Sequence, residues 1–234
     1  MTAALRPALA ELDRRFVIAR VEAVVSGRPL TLEKPRNADD LISEAEYARD
    51  ERLPYWADLW PAAVVLAEHL GTVPAAPGAR ALELGCGLGL VTIAAMQAGY
   101  AVTATDYYED ALLFTTRNAL ALTGREPATR MVDWRALPAD LGTFDLVLAA
   151  DVLYERPYAA IVAGVIDRAL APGGTALVAD QGRVALSAFL EAAAARGLRH
   201  TVVRQERRRV VPAAPEGSEA HHQLTIYALR REEA

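Results

Sequence analysis

Glu83-Leu84-Gly85-Cys86-Gly87-Leu88-Gly89 follows the short apolar run Ala81-Leu82 and precedes a helical pattern. Three glycines between a strand and a helix let backbone N–H groups at the helix start come close to a ligand. Asp106 ends the next apolar run, where a carboxylate can accept both hydroxyls of a ribose. The two features together predict a nucleoside-cofactor pocket, although the glycines alone would also suit a tight turn.

The spacing discriminates between cofactors. A dinucleotide fingerprint places glycines at its first, third and sixth positions. Counted from Gly85, the sixth position is Leu90, so that pattern fails. The E-x-G-x-G-x-G form resembles motif I of class I S-adenosylmethionine (SAM) methyltransferases. In those proteins the turn would cradle the methionine moiety and ribose instead of a pyrophosphate.

The 234 residues are enough for one substantial α/β domain. No apolar stretch reaches the roughly 20 residues needed to cross a bilayer, so no membrane association is expected. The first twenty residues carry acids and arginines without a continuous apolar run, unlike a secretory signal. The single cysteine, Cys86, rules out an intramolecular disulfide and suits a reducing cytoplasm. Within the glycine turn it reads as a small filler, not a nucleophile. A net charge of −5 offers no general attraction for nucleic acid. The local exception, Arg204 with Arg207-Arg208-Arg209, reads as a solvated loop edge or as a docking patch for an acidic partner. Lys34 is the only lysine.

The chain divides into an N-terminal extension, 1–53, and a main domain, 54–234. Within the extension, a frayed start leads to a hairpin with arms at 16–25 and 30–32. Residues 35–53 read as a linker or short surface helix. Pro61 opens a helix to Leu70, its missing N–H costing nothing at a first helical position. From Ala79 onward, strands at 80–84, 100–105, 129–132, 144–150 and 175–180 alternate with helices at 89–98, 109–122, 157–170 and 183–196. That alternation predicts a Rossmann-like, doubly wound, mostly parallel sheet. The segment 222–229 alternates in polarity and suits an antiparallel strand returning beside it.

Ligands of open parallel sheets bind outside the carboxyl ends of the strands. The polar residues there are Glu83 with Gly85, Gly87 and Gly89, then Asp106, Asp133-Trp134, and Asp151 with Tyr154. Singly, Asp106 and Asp133 could cap turns and Trp134 could be core. Four acids at four equivalent positions point jointly to a pocket. No metal site is expected. The four histidines, His69, His200, His221 and His222, read as surface residues.

At these positions the chain resembles the seven-β-strand methyltransferases, and within them the protein-lysine methyltransferases of methyltransferase family 16. The resemblance rests on Pro54-Tyr55-Trp56-Ala57-Asp58-Leu59-Trp60-Pro61, on Thr105-Asp106-Tyr107 with Asn118, and on Asp151-Val152-Leu153-Tyr154, a D-x-x-Y element. It covers about residues 54–182. It implies a seven-stranded sheet with one antiparallel strand, SAM as cofactor, and a protein substrate. Glu83 would hold the methionine ammonium, with Gly85, Gly87 and Gly89 lining the cofactor. Asp106 would take the ribose hydroxyls, Asp133 the adenine amino group with Trp134 beside the ring, and Trp60 would close over the methionine end. Asp151 and Tyr154 would border the opening for the acceptor nitrogen. The alternatives are another N-methyltransferase acting on a small molecule, an NAD-dependent oxidoreductase, or a module that keeps SAM without turnover.

Overall fold

The computed structural model describes residues 5–37, 41, 54–209 and 221–232. The expected linker at 35–53 therefore lies almost entirely outside the described residues. Helix α1 (Leu5–Arg15) precedes a hairpin of β1 (Ile18–Val25) and β2 (Arg28–Pro35). Ser26 and Gly27 turn it at φ 52° and 77°, the doubly left-handed two-residue loop that matches strand twist. Helix α2 (Pro61–Leu70) follows, then β3 (Arg80–Leu84), α3 (Leu90–Gln97), β4 (Ala101–Asp106), α4 (Glu109–Thr123) and β5 (Ala128–Met131). The second half comprises β6 (Phe144–Ala150), α5 (Tyr158–Ala169), β7 (Leu170–Asp180), α6 (Leu186–Ala194), β8 (Leu198–Arg209) and β9 (His221–Arg231).

The main sheet has seven strands in the order β5-β4-β3-β6-β7-β9-β8. All neighbours are parallel except β9, which runs antiparallel to both β7 and β8. The expected doubly wound architecture is what forms. Successive strands step outward from β3 to β5, and the chain then returns to place β6 on the other side of β3. The crevice between β3 and β6 is the topological switch point, where such sheets take their ligands.

Each sheet face carries its own core. One buries Leu66, Ile93 and Phe114 under α2, α3 and α4, and it extends to Leu12 of α1 and Leu32 of β2. The other buries Phe144, Ile166 and Phe189 under α5 and α6. Burial of each such side chain contributes about 1.5–3 kcal/mol. The apolar stripe expected on the last helix is present, with Phe189 and Ala193 buried and Leu186 and Leu190 packed beside them.

Two elements differ from expectation. The start expected to fray is helical, because Leu12 gives α1 a fully buried contact. The basic run expected to be a loop lies on β8, a twelve-residue edge strand. Arg204 and Arg208 pair there with Glu206 on their own strand and reach Glu68 on α2, each at 2.5 Å. Their charge is thus matched within the fold, while Arg207 stays exposed.

Candidate active site

The turn at Glu83, Gly85, Gly87 and Gly89 lines a cleft at the switch point. Gly85, Gly87 and Gly89 all have left-handed backbone, at φ 69°, 51° and 86°. At Gly89 the need for glycine is also steric, since a Cβ would lie 2.9 Å from the Thr115 backbone and methyl group. A Cβ on Gly87 would meet the Trp56 carbonyl oxygen at 3.1 Å. The turn is therefore pressed between α4 and the 54–61 segment. Asn118 on α4 ties it further, donating to the carbonyls of Leu88 and Glu33, each at 2.9 Å. Cys86 is buried, and the Thr115 hydroxyl lies 3.2 Å from its sulfur. Burial pushes its thiol well above the usual range, consistent with filler and not with a nucleophile.

Glu83 and Asp106 stand next to each other at the ends of β3 and β4. Glu83 is 2% exposed, and its carboxylate accepts from the Thr92 hydroxyl. Burial first, and the nearby Asp106 charge second, push its pKa up to about 8. Asp106 accepts the N–H groups of Gly87 and Tyr108, each at 3.1 Å. Burial nevertheless raises it to about 6 against those bonds. Among the described residues neither carboxylate has a cationic partner. Two buried acids without a counter-ion are costly to a fold and are suited to a cationic ligand.

The remaining expected residues line the same cleft. It is bordered by Trp60, Glu83, the three glycines, Asp106, Asp133, Trp134, Asp151 and Tyr154. Asp133 is held by Arg135, whose guanidinium reaches it at 2.7 Å. The Trp134 indole meets Tyr158 edge-on at 5.6 Å, and among the described residues its buried N–H has no hydrogen-bond partner. Tyr154 packs between Tyr55 and Tyr158, at ring distances of 4.8 and 5.1 Å. Burial raises its phenol beyond the usual range, so it remains protonated at neutral pH.

Asp151 has a left-handed backbone, φ 56°, which costs a non-glycine residue about 1 kcal/mol. Its carboxylate accepts three hydrogen bonds. One oxygen accepts from Gln181 at 2.8 Å and from the Arg183 Nε at 3.3 Å. The other accepts the Ala62 N–H, in the first turn of α2, at 3.3 Å. The Arg183 guanidinium also lies 4.9 Å over the Trp60 ring, and the Trp60 N–H donates to the Tyr55 carbonyl at 2.8 Å.

Sequence reasoning overlooked Tyr158, Gln181 and Arg183. The last two follow β7 directly, so collecting polar residues at the fifth strand end, as at the other four, would have found them. Tyr158 begins α5 and carried no comparable signal. The expected surface histidines are partly so: His200 and His221 are exposed, whereas His69 and His222 are half-buried.

The strand order and the acidic crevice at the switch point define the class I methyltransferase fold. Solved structures share it at low sequence identity. YcgJ from Bacillus subtilis aligns with a TM-score of 0.57 at 14% identity, over 72% of this chain and 98% of that one. The magnesium protoporphyrin IX methyltransferase of Synechocystis PCC 6803 gives 0.56 at 16%, over 82% and 94%. A family model described as lysine methyltransferase matches residues 50–195. That is more than half of the chain, which therefore belongs to the lysine methyltransferase family.

Among curated relatives, protein N-lysine methyltransferase METTL21A of Danio rerio is 42% identical over 113 residues, 44% of this chain and 50% of its own length. The electron transfer flavoprotein beta subunit lysine methyltransferase of Xenopus laevis is 28% identical over 139 residues, 57% of this chain and 55% of its own. The chain thus spans about half the length of these relatives. Among the described residues no helix is long and apolar enough to cross a membrane.

Proposed function

We propose that this chain transfers a methyl group from SAM to the side-chain nitrogen of a lysine in a protein substrate. The observation that carries the proposal is the buried pair Glu83 and Asp106, without a cationic partner, beside a left-handed glycine turn in a family of lysine methyltransferases. The cleft suits the cofactor in three further respects. Gly85 lines the cleft, where a Cβ would approach Val152 at 3.3 Å and Trp134 at 3.5 Å. Carboxylates stand at three successive strand ends, and an aromatic wall faces them.

In this assignment Glu83 holds the ammonium of the methionine moiety and Asp106 accepts the ribose hydroxyls. Asp133 accepts from the adenine amino group, with Trp134 beside the ring, and Trp60 closes the methionine end. When bound, SAM supplies a methyl group already activated on a sulfonium. The protein must align the acceptor nitrogen, which by itself supplies several kcal/mol. It must also favour the uncharged amine. Free lysine, with a pKa of about 10.4, is neutral only in a small minority at pH 7, a deficit of about 4–5 kcal/mol. Tyr55, Tyr154 and Tyr158 offer ring faces that desolvate the incoming amine, which favours its neutral form. Asp151 borders the opening, and its carboxylate, held by Gln181, Arg183 and the Ala62 N–H, suits orientation better than proton abstraction.

Isothermal titration with SAM and its demethylated product, S-adenosylhomocysteine, tests the cofactor, and incubation of a cell extract with methyl-labelled SAM tests the acceptor. Binding of both ligands and label on lysine in a discrete protein band are expected. Tight NADH binding without SAM binding would overturn the cofactor assignment. Label confined to low-mass material would move the acceptor to a small molecule.

A further inference from the structure

Arg183 ties together three elements that border the acceptor side of the cleft. Its Nε lies 3.3 Å from Asp151 at the end of β6. Its guanidinium covers Trp60 at 4.9 Å, just before α2. Its backbone N–H donates at 2.7 Å to Asp180, the last residue of β7. The placement is built and not incidental: the Asp180 carboxylate, 1% exposed, folds the turn by accepting from both Gly182 and Arg183. The Arg183 side chain is 27% exposed, against 1% for that of Asp151.

An unpaired Asp151 would oppose lysine methylation. A carboxylate at the acceptor opening stabilises ammonium and so depletes the nucleophilic form. With the Arg183 Nε 3.3 Å from its carboxylate, Asp151 presents no net charge to the arriving amine. We infer that Arg183 is a positioning residue for the acceptor: it neutralises Asp151 and clamps Trp60, so that a lysine nitrogen is delivered beside the cofactor in its uncharged form. This rests on the function proposed above and deepens it.

The other charged and titratable groups on this side of the cleft are Glu155 with Tyr154 after β6, and Asp58, whose carboxylate pairs with Lys34 of β2; Asp180, buried at the end of β7, is near enough to Asp151 for the two charges to interact. Glu83 and Asp106 lie deeper at the cofactor end. Arg183 is therefore the cation in contact with Asp151 among the described residues. Its loss leaves the opening acidic.

The test is the pH dependence of methyl transfer into lysine of extract protein, at saturating labelled SAM, for wild type, R183M and R183K. Saturation removes any effect on cofactor affinity. The acid limb of the rate at saturating acceptor reports the amine in the complex, whereas the limb at low acceptor reports free enzyme and free amine. In R183M the first limb is expected to move up by about one pH unit, as removal of a neighbouring charge requires, while the second stays in place. R183K, which keeps the charge, is expected to restore most of the shift. A readout without turnover accompanies it: N-acetyl-lysine methylamide should bind the S-adenosylhomocysteine complex of the wild type more tightly as pH rises towards the pKa of the free amine, and R183M should weaken that dependence. A rate lowered by one factor at every pH, with an unmoved limb, would mean a structural role only and would overturn the inference. Unchanged rates in R183M would do the same. If the wild type labels no lysine at any pH, the proposed function fails and this inference with it, whereas labelled lysine with an unmoved limb removes the inference alone.

Discussion

Replacing Glu83 with glutamine should make the ligand-free protein more stable at alkaline pH while impairing cofactor binding. Burial raises the Glu83 carboxyl from 4.5 to about 8. A raised acid binds more protons in the native state than in the unfolded chain between those values, so stability falls as pH rises through that window. The shift of about 3.5 units at roughly 1.4 kcal/mol each makes ionised Glu83 cost about 5 kcal/mol above pH 8. Below pH 4.5 the cost is absent. Glutamine has the shape of the protonated acid and keeps an oxygen for the Thr92 hydroxyl, so the variant avoids the penalty without leaving a cavity.

The assay is urea unfolding of both ligand-free proteins at pH 5 and pH 9. The two should agree within about 1 kcal/mol at pH 5, which lies only half a unit above the unfolded value of 4.5, so little of the cost has accumulated. At pH 9 the variant should lead by about 5 kcal/mol, or on the order of 15 °C in Tm for a chain of this length. Titrating groups remote from Glu83, including Glu68 with its lowered carboxyl, act equally in both proteins and cancel in the difference. A stability gap identical at the two pH values would refute the reasoning. It would mean that Glu83 ionises as freely in the fold as in water. Calorimetry at pH 7 supplies a companion result: about nine-tenths of Glu83 is protonated there in the free protein. Binding of a cationic ligand beside it should release close to one proton, and the variant should release almost none.

Three further outcomes are expected. The affinity of the wild type for SAM should fall with an added tenfold per pH unit below about 6, where Asp106 takes up its proton, and titrations from pH 5 to 7 should show that extra slope vanish in Asp106→Asn. Gly89→Ala should destabilise the fold by about 2–4 kcal/mol in urea unfolding, combining left-handed strain with a Cβ 2.9 Å from Thr115, and a loss under 1 kcal/mol would show that α4 yields easily. Glu68→Gln should cost about 2 kcal/mol by removing the shared partner of Arg204 and Arg208, whereas Arg207→Glu should leave stability unchanged; the reverse order would restore the basic run as a surface patch.

What the sequence made legible is what a local pattern can specify. Pro61 and Leu70 bound α2 as expected because a missing N–H and a buried terminal leucine act within one turn. The strand ends at Glu83, Asp106 and Asp151 could be located because each polar residue terminates an apolar run buried on both faces of the sheet. Strand β8 lacked that signal. As an edge strand with a single neighbour it buries little, and Arg204, Arg207 and Arg208 give it the charge of a loop; only pairing with β9 and contact with Glu68 make it a strand. Asp133 was placed at the right strand end, but its pairing with Arg135 depends on a turn conformation that composition does not encode. Arg183 could have been collected at its strand end, but what it touches could not be read there. Its partners, Asp151 and Trp60, lie far off in sequence and meet it only once β6 and β7 are adjacent.

The costly features of the fold gather in one cleft, which is itself an argument about function. Among the described residues Glu83 and Asp106 are buried acids with no counter-ion and Trp134 buries an N–H with no hydrogen-bond partner, while Asp151 holds a left-handed backbone. Each lowers stability by an amount on the order of 1–5 kcal/mol. Elsewhere the described structure follows the ordinary rules, with apolar cores on both sheet faces and surface arginines matched to acids. Local rules are broken where function requires it and the rest of the fold carries the cost. A purely structural role gives no reason for these exceptions to converge on the switch point between β3 and β6. A cationic adenosyl ligand does: bound there it would pair with Glu83, engage Asp106 and cover the aromatic wall, relieving the largest of these penalties. The strain of Asp151 would remain, because its carboxylate already serves Ala62, Gln181 and Arg183. That asymmetry separates the cleft into an end whose stability should respond to the cofactor and an acceptor end set rigidly in advance.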